Sequence, residues 1–266
     1  MPKKTVNGIE LYYEVKGEGA PLFMIQGLGY TSRFWFKQVP ELKEEFELVT
    51  FDNRDVGKSE IVNQGYRMKD MARDVKGLIE ELGFDRVNVL GLSMGGYIAQ
   101  HLAADWPDLV DKLVLVSTHA GGPEYLAETG DLWEEILDVE GLSEREIYRK
   151  GYRYSVTKEF FSNDEEIEKL VDMRVEDAQP QPAYQRQFQA ASDFDMTDRL
   201  GEIASDTLIL SGAEDRVVPT KFGEQIEKGI PSSRLEVVDG AAHLIHLEKP
   251  EDFNSMVIDF VSDSDV

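Results

Sequence analysis

A serine with a glycine two residues away on either side, Gly91-Leu92-Ser93-Met94-Gly95, has the spacing that turns a hydroxyl into a nucleophile. It lies between the apolar run at 86–90 and a helix-like stretch at 96–106, on a tight strand-to-helix turn. The backbone there takes a strained conformation in which side chains two positions either side of the serine collide, and Gly91 and Gly95 remove them. Ser93 Oγ then projects above the sheet. Met94 opens the following helix, so its N–H has no intrahelical acceptor and sits at the positive end of the dipole, which suits a developing oxyanion.

A serine nucleophile needs a base, and the base needs an orienting acid. Downstream, the apolar run 208–210 leads into Ser211-Gly212-Ala213-Glu214-Asp215-Arg216-Val217-Val218-Pro219, and the run 235–238 leads into Asp239-Gly240-Ala241-Ala242-His243. Both loops lie beyond the carboxyl end of a strand, where ligands bind in open α/β sheets. Spacing alone leaves Glu214 and Asp239 as rivals to Asp215, and His246 as a rival to His243. His101 lies inside the helix after the serine and reads as structural. His119, after the strand ending at Val116, and Trp35, after the Gly27 loop with Tyr30 and Phe34, are the candidates for touching substrate. Their alternatives are a satisfied loop histidine and the core of the next helix.

The elements that must position these residues are legible from periodicity. Asn7-Gly8 between alternating residues predicts an opening antiparallel hairpin. Buried-strand runs at 22–25, 48–51, 87–90, 113–116, 208–210 and 235–238 alternate with helical patterns, which predicts right-handed crossovers and a mainly parallel sheet. Met68, Met71, Val75, Leu78, Ile79 and Leu82 mark one helix face that Gly83 stops, and Phe253, Met256, Val257 and Phe260 mark another. From about 120 to 195 the alternation fails: helical stretches at 131–139, 143–153 and 164–178 follow one another without a strand. The run Gln179-Pro180-Gln181-Pro182 breaks any helix through it.

Composition bounds the chemistry. A chain of 266 residues supports one large core plus an insertion. With no cysteine there is no thiolate nucleophile or disulfide framework, and the four histidines lack metal-ligand spacing. The 52 acidic residues outweigh 28 basic ones for a formal charge of −24, which repels nucleic acid and anionic membranes. No apolar run is long enough to span a bilayer and none follows Lys4 as a leader, so a cytoplasmic location is expected.

Four further blocks agree in order with the elbow. The stretch SGAEDRVVP resembles the acid loop of the α/β-hydrolase fold superfamily and DGAAHLIHLEKPEDFN its histidine loop. FDNRDVGKS resembles its Asp-x-Arg-Gly-x-Gly-x-Ser block and QGLGYTSRFW its oxyanion loop. Over nearly its whole length the chain resembles that superfamily. The resemblance implies a mainly parallel eight-stranded sheet flanked by helices, formed by 1–119 and 196–266, with 120–195 as a helical cap. It implies Ser93, Asp215 and His243 as the triad, the N–H groups of Met94 and Leu28 as the oxyanion hole, and no cofactor. The sequence departs from the pattern at Gln26, where histidine is usual, and at Asp55 and Ala242, where glycine is usual. Asp52 and Arg54 read as an ion pair bracing their turn. A serine at the elbow separates the chain from dehalogenases and epoxide hydrolases, which use aspartate there. The leading expectation is a carboxylesterase acting on small, largely apolar esters through an acyl-serine. Lactonase or enol-lactonase, thioesterase, C–C bond hydrolase and haloperoxidase-like perhydrolase activities use the same triad. A ligand-binding receptor of this fold and an acidic interaction protein are the non-enzymatic alternatives.

Overall fold

Asn7 and Gly8 both take left-handed backbone conformations, φ 49° and 81°, as a two-residue hairpin turn requires, and they join β1 (Lys3–Val6) to β2 (Ile9–Lys16). The computed structural model describes residues 2–263. The remaining strands are β3 (Ala20–Ile25), β4 (Phe46–Phe51), β5 (Val87–Leu92), β6 (Val110–Val116), β7 (Asp206–Gly212) and β8 (Ser233–Val238). They form one eight-stranded sheet in the order β1-β2-β4-β3-β5-β6-β7-β8. Only the β1–β2 and β2–β4 pairs are antiparallel; the rest run parallel.

The helices are α1 (Val39–Leu42), α2 (Met68–Glu81), α3 (Met94–Asp105), α4 (Pro123–Leu137), α5 (Glu144–Ser155), α6 (Lys158–Phe161), α7 (Asp164–Glu176), α8 (Gln181–Ser192), α9 (Lys221–Gly229), α10 (Ile245–Glu248) and α11 (Pro250–Ser262). Strand alternation sends Phe23, Val49 and Leu113 to one face of the sheet, against Met71, Val75 and Leu78 of α2 and Ile98 and Leu102 of α3. Met24, Leu48 and Val114 go to the other face, against Phe253 and Val257 of α11. The stop after α2 is Gly83 at φ 84°, a left-handed position that glycine adopts at little cost.

Between β6 and β7 the chain runs through α4–α8 with no intervening sheet strand. It leaves and returns side by side: Gly121 and Asp195 form an isolated antiparallel bridge, and Met196 N–H donates to Ala120 O at 2.7 Å. A capping box of Ser143 with Glu146 starts α5. The proline-rich run separates α7 from α8, with Pro182 in the first turn of α8, where its missing N–H costs nothing. Tyr152, Leu170 and Val171 from these helices pack on Phe34, Leu244 and Leu247, which belong to the segments that follow β3 and β8. No helix among the described residues is long and apolar enough to cross a membrane.

Candidate active site

Ser93 joins β5 to α3 at φ 53°, ψ −119°, a strained conformation for a residue with a side chain. Its glycine neighbours are required by contact. A Cβ on Gly91 would lie 2.4 Å from Gly95 O, and one on Gly95 would lie 2.2 Å from Ile25 O. The collision expected from the sequence is therefore with backbone that cannot yield.

Asp215 follows β7 and is buried. Its Oδ1 accepts from the N–H groups of Val217 and Val218, each at 2.8 Å, and its Oδ2 lies 2.9 Å from His243 Nδ1. Every bond to the carboxylate comes from a donor, so the histidine carries its proton on Nδ1 and leaves Nε2 free to accept one. Glu214 and Asp239 are exposed and take no part in this pairing. The His243 loop rests on the end of β7, where a Cβ on Gly212 would strike Ala242 O. Glu248 anchors it further: its carboxylate accepts from Ala242 N–H at 2.9 Å and Thr157 N–H at 2.7 Å. Burial pushes the Glu248 carboxyl up from its ordinary range against the lowering effect of those bonds.

The loop after β3 lies against the serine, with Gly27 close enough that a Cβ would sit 3.3 Å from Ser93 Cβ. Gly27 N–H is turned to the Gln26 side chain, 3.3 Å from its Oε1. The N–H groups of Leu28 and Met94 donate to no protein acceptor among the described residues. Ser93, His243, Gly27 and Leu28 all line one cavity of about 780 Å³, within the size range of small-molecule sites. Such a set can activate a hydroxyl, hold an oxyanion and return a proton to a leaving group.

Two residues expected at the substrate lie elsewhere. Trp35 is fully buried beside Leu22, Met24 and Leu48, with its ring 5.1 Å from that of His246, and it is not in the wall of the serine cavity. The residues after the Gly27 loop wind into a short 3-10 helix that sends Phe34 against Tyr152 and Leu170 and Trp35 against the sheet residues, so the tryptophan belongs to the core. A separate cavity of about 630 Å³ near Asp52 and Lys58 contains neither Ser93 nor His243. His119 is likewise absent from the serine cavity. Its Nδ1 accepts from Gly121 N–H at 2.8 Å, so the neutral ring must donate from Nε2 to Tyr97 Oη, 2.6 Å away. Stacked on Tyr125 at 3.5 Å, it is a satisfied core group, and burial depresses its pKa to about 3. Burial does the same to His246 and lowers His101 to about 4.

The expected Asp52–Arg54 pair also differs. Arg54 makes two 2.6 Å bonds to Asp74 of α2, whereas Asp52 accepts from the Ser32 N–H and hydroxyl and from Lys58 N–H. Asp55 takes the left-handed conformation that its position demands, φ 68°, one that aspartate tolerates better than most residues. Its buried carboxylate binds Arg186 of α8 at 2.8 and 2.9 Å. Sequence patterns missed Arg174 of α7, buried in the wall of the serine cavity. Its guanidinium lies over the rings of Tyr30 and Tyr148 and donates to Gly29 O. No carboxylate among the described residues pairs with it. A helical arginine carries no motif, and only its burial inside a cavity marks it.

Comparison with known proteins agrees with this geometry. The family model described as alpha/beta hydrolase fold matches residues 20–250. The chain is 27% identical over 262 residues to RutD of Agrobacterium fabrum, a protein named for carbamate hydrolysis, covering 96% of this chain and 99% of that one. It is 30% identical over 266 residues to 2-hydroxy-6-oxononadienedioate/2-hydroxy-6-oxononatrienedioate hydrolase 1 of Pseudomonas putida, covering 96% and 92%. A thermophilic esterase of Thermogutta terrifontis, solved with malate bound, matches at a TM-score of 0.84 and 28% identity over 98% of this chain and 97% of that one. The chain belongs to the alpha/beta hydrolase fold family and is a hydrolase of that kind.

Proposed function

We propose that the protein is a carboxylesterase that cleaves small, largely apolar esters through an acyl-serine intermediate. The observation that carries this reading is the buried His243–Asp215 pair, 2.9 Å apart, opening onto the same cavity as the strained Ser93. Ser93 Oγ attacks the ester carbonyl as His243 Nε2 takes its proton, and the N–H groups of Leu28 and Met94 hold the oxyanion. Collapse breaks the bond to the alcohol, which leaves with the proton from His243. Water, deprotonated by the same imidazole, then releases the acid. The helices α4–α8 act as a cap: Trp133, Ile136, Ile147, Tyr184 and Phe188 present an apolar wall to the cavity, which favours an apolar acyl or alcohol part.

The test is burst kinetics with p-nitrophenyl esters alongside covalent labelling by a fluorophosphonate. Ser93→Ala and His243→Ala are each expected to lower turnover by on the order of 10⁶, and Ser93→Ala to abolish labelling. Absence of labelling in the unaltered protein sinks the reading, and labelling without ester turnover points to a receptor or a narrower substrate.

Arg174 favours a second reading, in which the substrate carries a carboxylate. A buried guanidinium without a counter-ion is costly, and a carboxylate entering the cavity would supply one. Relatives named for a dienedioate substrate and solved with malate bound point the same way. Arg174→Gln should then reduce kcat/KM for a hemisuccinate ester at least about tenfold more than for the neutral butyrate ester, charge-assisted hydrogen bonds being worth about 1.5–3 kcal/mol. Equal losses on both esters rule this reading out.

A further inference from the structure

Four residues after the end of β3, the backbone at Gly29 is gripped on both polar groups by side chains from the helices between β6 and β7. Its N–H donates to Gln187 Oε1 at 3.1 Å, and its carbonyl accepts from Arg174 Nη1. Gly29 itself is left-handed at φ 70°, and a Cβ there would meet Arg174 Nη2 and Gln179 Oε1, each at 3.1 Å. Gln187 is fully buried and uses its other end on the core: Nε2 donates to Arg54 O at 2.8 Å. The two partners fix the amide's orientation, because the Gly29 N–H requires an acceptor and the Arg54 carbonyl a donor. Arg54 in turn donates two hydrogen bonds to Asp74 of α2.

We infer that Gln187 is a positioning residue for the oxyanion hole, so that the N–H of Leu28 is aimed at the reacting carbonyl only while α8 is docked. The inference rests on the serine-hydrolase reading above. Fixing the Leu28–Gly29 peptide plane fixes the backbone one Cα from the Leu28 N–H. Within the loop the Tyr30 N–H donates to Gly27 O at 3.3 Å, which restrains the Gly27–Leu28 peptide from inside, and Gln187 supplies the tether to the neighbouring Leu28–Gly29 peptide from α8. Donors preorganised toward the oxyanion act on the transition state more than on the bound substrate. Withdrawal of α8 therefore removes both the cavity wall and the second donor, and couples cap closure to chemistry.

The experiment measures kcat, KM and the inhibition constant of a trifluoromethyl ketone, which forms a tetrahedral oxyanion on the serine, for the unaltered protein and four variants. Gln187→Met and the milder truncation Gln187→Asn are expected to lose about 10- to 10²-fold in kcat and in ketone affinity together, with KM little changed. Gln187→Glu retains an acceptor for the Gly29 N–H but sets a second acceptor against the Arg54 carbonyl, so it should recover only part of the ketone affinity. Arg186→Gln breaks a different contact of α8 with the core, the pair with Asp55, and should leave ketone affinity near that of the unaltered protein. Ketone affinity unchanged in both truncations, or lost equally in Arg186→Gln, overturns the positioning role while fluorophosphonate labelling still reports an active serine. Absence of labelling in the unaltered protein overturns the serine reading and this inference with it.

Discussion

At the scale of single residues, the site depends on groups that accept or donate in one direction only. Asp215 receives three donors, two from backbone and one from His243. In Asp215→Asn the remaining oxygen keeps the Val217 and Val218 bonds, and the amide nitrogen faces His243 Nδ1. The imidazole must then present a lone pair there and carry its proton on Nε2, which cannot act as the base. Turnover should fall by about 10⁴ with the fold intact, checked by kcat together with an unchanged thermal unfolding curve. Gly95→Ala acts differently, because its Cβ meets Ile25 O at 2.2 Å and β3 must move away from the elbow. That overpacking should cost about 1–3 kcal/mol in urea unfolding and reduce turnover; an unaltered unfolding midpoint contradicts it. The turn bearing Ser93 and the loops bearing Asp215 and His243 were legible because each is a local motif, whereas the pairing of His243 with Asp215 rather than with Glu214 or Asp239 is read from the structure. The places of Trp35 and His119 were not legible, since which wall a side chain faces depends on the element packed against it.

Among elements, a buried ion pair ties the loop after β4 to α2: Arg54 and Asp74 are 20 residues apart in sequence. Arg54 and Asp74 are 5% and 2% exposed, so removal of one partner leaves a buried charge uncompensated. Asp74→Ala is expected to destabilise the protein by about 3–5 kcal/mol, and the double change Arg54→Met with Asp74→Leu to recover most of it, read from denaturant midpoints. If the double variant is no better than the single one, desolvation is not the dominant cost. The nearer carboxylate, Asp52, is the natural partner in the sequence, yet it caps the Ser32 and Lys58 N–H groups instead. Neighbourhood along the chain predicted the helices and strands well because their hydrogen bonds and apolar periodicity are local, and it failed for ion pairs because those join separate elements.

Over the whole molecule, two electrostatic effects set the conditions of stability. The net charge of −24 makes the native state repel itself, so raising salt toward 1 M, where the screening length shrinks to about 3 Å, should raise the melting temperature. Acid works in the opposite direction through buried histidines. His119 and His246 have native pKa values depressed to about 3 by burial, with a smaller contribution from His243, against an ordinary 6.5. Below 6.5 the unfolded chain binds protons that the native state refuses, so their contribution is intact above that pH and is lost as pH falls toward 3. By pH 5 each should cost roughly 2 kcal/mol. In His246→Phe the loss of stability between pH 7 and pH 5 should be smaller by about that amount, and an unchanged loss would exclude a neutral buried His246.

What the sequence by itself determined is the set of local features: the glycine-bracketed serine, the acid and histidine loops in order, and the alternation that builds a parallel sheet. Those features follow from steric and periodic constraints that act within a few residues, and they were sufficient to expect a mainly parallel sheet opened by a hairpin; the expectation of eight strands, which is what is observed, came from the family resemblance. Only the tertiary structure decided which helices line the cavity, that Arg174 lies buried in its wall without a carboxylate partner among the described residues, and that Gln187 joins Gly29 to Arg54. These contacts span more than a hundred residues. A buried polar side chain is committed to its partners by the cost of leaving them unpaired, and that cost arises only when the packed elements exclude water.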